Sequence, residues 1–380
     1  MLLKKFGKRT AMVMACVLAI TAMTACGKKD SDSADSGLGA SFEPITNNTD
    51  SAAESTTAEE VTEEETYEVP EGMYLSEITG EPISEELKDQ RPIAVMVDNE
   101  KIALPHYQTA DADVVYEIMN STKHDRVTRF MCIFKDWGSI EQLGSVRSTR
   151  PTNILLAAEW NAVLCHDGGP YHNDAYFANP WAEHFSGTFS RVNNGKKREF
   201  TEYVVKGDLE KNFKNSGFST TYNEYANEGS HFNFVPYGKE VKLDEKYSRS
   251  YPANSVSLPF KHTGTQLKYN EETKEYEQYE YGARHEDAET GAPLSFKNVI
   301  LQNCSFNQLD DNGYLIYNCV GSGNGWYLTN GLAKDISWVK DGLTGVTKFY
   351  DENGDELQIN TGKTYISLIP EDSWSNVAFE

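Results

Sequence analysis

TNILLAAEWNAVLCHDGG, Thr152 to Gly169, is the stretch on which the fold turns. Its first half places Ile154, Leu155 and Ala158 at helical spacing, with Thr152 or Asn153 as a cap and Pro151 just before. After Asn161 comes a short apolar run closed by Gly168 and Gly169, the pattern of a strand. Upstream, RPIAVMVDN (91–99) is an apolar run bounded by Pro92 and Asp98-Asn99, which predicts a buried strand. ADVVYEIMN (112–120) and VTRFMCIFKD (127–136) add Val, Ile, Tyr and Phe in strand-like runs. Strand, helix, strand implies a crossover unit in an α/β layer.

Beyond Tyr251 the texture becomes β. VSLPF, QLKYN, YEQYEYG, NVILQNCSF, YLIYNCV, GWYLTNG, ISWVKD and KTYISLIP recur between turn signals such as Asn312-Gly313 and Asn353-Gly354. The expected fold class is α+β: an N-terminal α/β layer domain over 76–240, followed by a mainly antiparallel β domain over 241–380. No repeat at solenoid periods is evident.

The N-terminus belongs to neither domain. A basic segment with Lys4, Lys5, Lys8 and Arg9 precedes the apolar run AMVMACVLAITAMTA, of signal-peptide length. The run ends at Ala25-Cys26, which resembles a bacterial lipobox, so residues 1–26 are expected to be a lipoprotein signal peptide. Cys26 would carry the diacylglyceryl thioether, with a further acyl chain such as palmitate on its amine; two chains suffice for stable anchoring. Residues 27–75 lack apolar periodicity and accumulate acids towards Glu63-Glu64-Glu65, as a disordered acidic tether does. The chain carries a formal net charge of -23, which argues against nucleic acid as a partner.

Export implies a compartment that permits disulfides. A hairpin centred on Asp310 to Gly313 would set Cys304 opposite Cys319, leaving Cys132 and Cys165 for each other. Four buried thiols are the alternative.

RPIAVMVDN, ADADVVYE, VTRF, GSVRSTRP and HDGG, then YNEETKEYEQY, HEDAETG, NVILQN, GSGNGWYLTNG, ISWVKD and TGKTYISLIP, occur in this order. Together they resemble the YerB-like bacterial lipoproteins, which carry paired N- and C-terminal DUF3048 domains. The resemblance implies a two-domain, membrane-anchored extracytoplasmic protein of a Gram-positive envelope and supplies no catalytic activity. Two departures stand out: Cys165 precedes HDGG where a simple apolar residue is expected, and REFTEYV lacks the family's His-Asn pair.

Among chemistry-bearing residues, Cys165 and His166 cannot form a dyad, because adjacent strand side chains point to opposite faces. His166, Asp167, His172 and Asp174 are ligand types, yet their spacing fits neither HExxH nor a calcium loop, so no metal is expected. GSGNG (321–325) lacks the Lys and helix of a phosphate loop, and no cofactor is expected. Trp326, Tyr327, Trp338, Tyr350 and Tyr365 read as core more than as a sugar platform.

The arginines say more. Arg126, Arg129, Arg147 and Arg150 crowd into 25 residues of an acidic chain, and SVRSTRP adds hydroxyls between a strand and a helix. If the strand ending at His166 lies beside that loop, Arg147, Ser148, Arg150, His166, Gly168, Gly169 and Arg191 gather as a cleft for a small anionic ligand. Alternatively the arginines pair internally with Asp98, Asp113, Glu117 or Asp125. The expected role is a non-catalytic binding, scaffold or regulatory lipoprotein, with an envelope protein or cell-wall component as partner. A cell-wall hydrolase using His166 and Asp167, and a solute-binding lipoprotein, are the alternatives.

Overall fold

A computed structural model describes residues 67–380; the signal peptide, Cys26 and most of the tether lie outside the described residues. No helix of the described residues is long and apolar enough to cross a membrane. Paired structure is present before the expected boundary at 75/76. Met73–Leu75 already pairs antiparallel with Pro82–Ser84, and Tyr74 donates to Glu77 at 3.2 Å.

The first half supplies β1 (Ile93–Asp98), β2 (Val114–Met119), β3 (Thr128–Phe134), β4 (Val163–His166) and β5 (His184–Ser186), with helix α1 (Pro151–Glu159) before β4. The second half supplies β6 (Gln266–Asn270) and β7 (Glu275–Glu280) to a second sheet of six strands. It also supplies β8 (Asn298–Cys304), β9 (Gly321–Thr329), β10 (Leu332–Lys340) and β11 (Thr364–Pro370) to the main sheet of eleven. Along that sheet the order is β10, β9, β8, β11, β2, β3, β1, β4, β5.

The chain is therefore mostly β, with several sheets. Of the expected α/β layering, two parallel pairs carry a helix between them in sequence: β1 with β4 across α1, and β4 with β5 across the short helix Asp174–Phe177. The other described helix of α1's length is Asp208–Ser216, beside two helices of four residues.

The two halves predicted from composition share one sheet. β11 pairs parallel with β8 on one side and with β2 on the other, so a strand from the C-terminal half completes the N-terminal one. All seven residues of β11 are buried, as are all six of β1, because both strands are central and covered on both faces. Strand alternation sorts their side chains into two cores: Ile93, Val95 and Val97 in one, Ala94 and Met96 in the other. The first core is closed by Leu267, Tyr276 and Phe296 of the second sheet, the other by Ile154, Leu155 and Leu156 of α1. Each fully buried aliphatic side chain contributes roughly 1.5–3 kcal/mol. Tyr327, Trp338 and Tyr365 are among the buried residues.

The disulfide expectation is corrected: all four cysteines are free and buried. Cys132 and Cys165 are not on neighbouring strands. Both align with Val95 on β1, which lies between them, so two strand spacings, about 10 Å, separate the thiols. The second hairpin has the expected register, with Phe306 opposite Tyr317 and the Asn318 N–H bonded to Ser305 O. It brings Cys304 and Cys319 to its mouth as thiols, packed in the core that contains Tyr317 and Trp338.

Candidate functional site

The loop 145–150 crosses the sheet edge where parallel strands β1 and β4 end. Arg147 N donates to Met96 O at 3.0 Å, Asp167 N to Arg147 O at 3.0 Å, and Thr149 N to Gly168 O at 3.1 Å. Arg147, Ser148, Arg150, His166 and the glycine pair thus share one edge. Gly168 turns there with a φ of +75°. At Gly169 a Cβ would meet Asn173 Nδ2 at 2.2 Å and Thr149 O at 3.1 Å, so only glycine lets these segments close. These glycines serve the loop contacts in the structure.

Two guanidiniums converge on Ser148. Arg129 Nη1 donates to Ser148 O at 2.8 Å and Oγ at 2.7 Å, and Arg150 Nη1 to Ser148 Oγ at 3.3 Å and Thr149 O at 2.7 Å. Arg150 Nε donates to Asn120 O at 3.0 Å, and its guanidinium lies 4.4 Å from the Tyr314 ring centroid. With its amide turned so that oxygen faces the arginines, Asn120 also accepts from Arg150 Nη2 at 2.9 Å and Arg129 Nη1 at 3.3 Å. Arg147 Nε lies 2.8 Å from Asp98 Oδ2, and its Nη1 donates to Glu199 at 3.2 Å. Arg129 reaches the same Asp98 at 4.0 Å.

Asp98 is the fully buried carboxylate of this group; Glu199 is about half exposed. Burial, then repulsion from Arg129, pulls the Arg150 guanidinium down to about 9. Arg129 is lowered for the same first reason, burial, with Arg147 adding repulsion.

Two expected members stand differently. Arg191 pairs with Asp167 at 2.9 Å and with Glu202, and its Nη1 donates to Arg198 O at 2.8 Å, so its fork is spent on its own acids. Burial and the neighbouring Asp167 push the Glu202 carboxyl up to about 7. His166 is 2% exposed; its Nδ1 bonds Gly168 O at 2.8 Å, and its Nε2 lies 2.9 Å from His184 Nδ1. Burial holds its imidazole down to about 4. His172 pairs with Asp310 at 3.1 Å, away from His166.

The sequence shows Arg129 among the crowded arginines without placing it in the cleft, offers Asp98 only as an alternative internal partner, and gives no sign of Asn120 or Tyr314. The signal for Asp98 was present, since an acid ending an all-apolar strand calls for a buried cation. Tyr314 comes from the far half of the chain, and nothing local announces it.

Residues 78–219 match the family described as "Protein of unknown function (DUF3048) N-terminal domain", and residues 256–366 match its C-terminal domain. YerB of Bacillus subtilis (strain 168), whose name places it among lipoproteins, is 23% identical over 313 residues, 77% of this chain and 86% of that protein. The crystal structure of YerB from Bacillus subtilis superposes with a TM-score of 0.68 at 20% identity, covering 81% of this chain and 99% of that one.

Proposed function

Because the chain belongs to the YerB-like family with paired DUF3048 domains, we propose that it is a membrane-tethered, extracytoplasmic binding protein of the cell envelope. Cys26 carries the lipid, residues 27–66 span the distance to the body, and the sheet edge at Ser148 takes an anionic group of an envelope protein or wall component. The carrying observation is the charge balance: the fully buried carboxylate Asp98 meets Arg147 and Arg129, Arg150 bonds only neutral acceptors, and Arg147 and Ser148 remain part-exposed. Buried cations in excess favour an incoming phosphate or carboxylate.

The rival readings fit less well. A hydrolase needs an open acid/base pair, whereas His166 is buried and bonded on both ring nitrogens and Asp167 is tied to Arg191. A solute-binding protein closes two lobes about a hinge, and one continuous sheet through both halves offers none.

The test is a thermal-shift titration of the full chain in detergent with inorganic phosphate and with acetate. A bound anion at a hundredfold excess over its Kd stabilises by about 2.7 kcal/mol, and Arg147→Gln should abolish the shift. Equal shifts in wild type and Arg147→Gln, or none at all, refute the anion site. Cys26→Ala should release the chain from membranes; unchanged retention refutes the anchor.

A further inference from the structure

A second polar cluster adjoins the arginine group through Asp98, where the segment after β1 meets the second sheet. His106, Glu280 and His285 are 0%, 3% and 4% exposed, and one ligand-type atom from each lies within 4.8 Å of the other two.

Their hydrogen bonds fix where the lone pairs point. His106 Nε2 sits 2.6 Å from the backbone carbonyl of Asp98, which can only accept, so that nitrogen carries the proton and Nδ1 is bare. His285 Nδ1 sits 2.7 Å from Gln278 Oε1 and 3.3 Å from Glu280 Oε1, so it too carries the proton and leaves Nε2 bare. The two bare nitrogens face one another at 3.2 Å. Two neutral rings in these tautomers have no proton left to place between them.

Two nitrogens bound to tetrahedral zinc at about 2.0–2.1 Å lie roughly 3.3 Å apart, close to the observed separation. Both rings are also oriented from behind by an acceptor, the arrangement that fixes the tautomer of metal-binding histidines. Glu280 supplies the anion: the residue is almost wholly buried, with Oε1 3.3 Å from His285 Nδ1 and Asn99 beside it. A buried carboxylate favours its neutral form unless a cation stands beside it. Thr109 Oγ1, at 3.5 Å from His285 Nε2, is at the outer limit of a hydrogen bond. The cluster has a route in: Glu280 and His285 line a cleft of about 510 Å³ with Leu104, Pro105, Tyr281 and Arg284.

We propose that His106 Nδ1, His285 Nε2 and the Glu280 carboxylate form a binding site for a divalent first-row transition ion, zinc by its donor set, open to this cleft. Imidazole with carboxylate suits zinc better than magnesium or calcium, which prefer oxygen throughout. The site joins the strand-end loop of the first half to β7 of the second, so the bound ion would clamp the halves together.

The experiment is titration of the chelator-stripped full chain in detergent with zinc chloride, read by calorimetry and by long-range nitrogen–proton NMR of the imidazoles. One zinc ion per chain is expected, with metallation shifts at His106 Nδ1 and His285 Nε2 of the wild type. Glu280→Gln and His285→Gln should each weaken binding by about 100-fold, while the exposed His124→Gln should bind as wild type. Glu280→Gln keeps the side-chain shape and removes a buried carboxylate, so its metal-free Tm should hold or rise. Absence of stoichiometric zinc on folded wild-type chain, ring shifts at other histidines, or undiminished binding in Glu280→Gln overturns the site.

Discussion

The Tyr365 hydroxyl donates to Glu117 Oε2 at 2.6 Å, and both side chains are fully buried. The pair joins β11 to β2, and Ser367 Oγ adds a bond to Glu117 O at 2.8 Å. Thr128 and Thr265 hydroxyls donate to the carboxylate at 2.8 and 2.9 Å, the latter from just before β6, and Asn99 Nδ2 and Thr263 Oγ1 add donors at 3.3 and 3.4 Å. Tyr365→Phe should cost about 1.5–3 kcal/mol, the range for a hydrogen bond to a charged group. Urea unfolding checks it: the midpoint should fall with the slope unchanged.

Asp98 neutralises buried guanidiniums at the sheet edge. Asp98→Asn should cost about 3–5 kcal/mol, as removal of one partner from a buried ion pair does. Pairing it with Arg147→Gln should recover part of that loss, a non-additivity that a double-mutant cycle measures.

His166 gives the chain a pH dependence of predictable sign. Its imidazole is held at about 4 when folded and titrates near 6.5 when unfolded. The unfolded chain therefore binds more protons between these values, so this contribution is complete above about 6.5 and is lost as pH falls towards 4. The slope from one such group reaches about 1.4 kcal/mol per pH unit. Burial also lowers His184, which acts in the same direction. His166→Gln should flatten the stability profile between pH 6.5 and 4, measured by denaturant unfolding at each pH.

The cysteines should stay silent in the native state. Burial pushes the Cys132 and Cys165 thiols far above their ordinary range and Cys319 up to about 12. A thiol-reactive dye should label none of Cys132, Cys165, Cys304 and Cys319 until urea unfolds the chain. Mass spectrometry after mild oxidation should find no Cys132–Cys165 link, because β1 lies between them.

The halves should not fold apart. A fragment of residues 76–240 lacks β11 and leaves the edge of β2 open, so it should show no cooperative thermal unfolding; the full chain should.

The elements were legible where their signals are local. RPIAVMVDN, TNILLAAEW and the Asp310–Gly313 hairpin carry their own periodicity, caps and turns, and each became the predicted element. The joining of the halves was not legible, because TYISLIP reads as any buried strand and nothing in it says which edges it will fill. The same holds for the sites. Arg147 and Arg150 were visible through an unusual density of arginine in an acidic chain. His106 and His285 are separated by 179 positions, and neither has a neighbour that marks it as a ligand.

The position of β11 sets an order of events in time. The central slot between β2 and β8 stays open until residues 364–370 arrive, and contacts of such separation form late. A chain threaded N-terminus first through a membrane would remain loose and passable until its last strand emerged on the far side. Closure of the sheet would then signal that transit is finished, and a product cut short before Thr364 would be left with an unpaired edge for proteases to find.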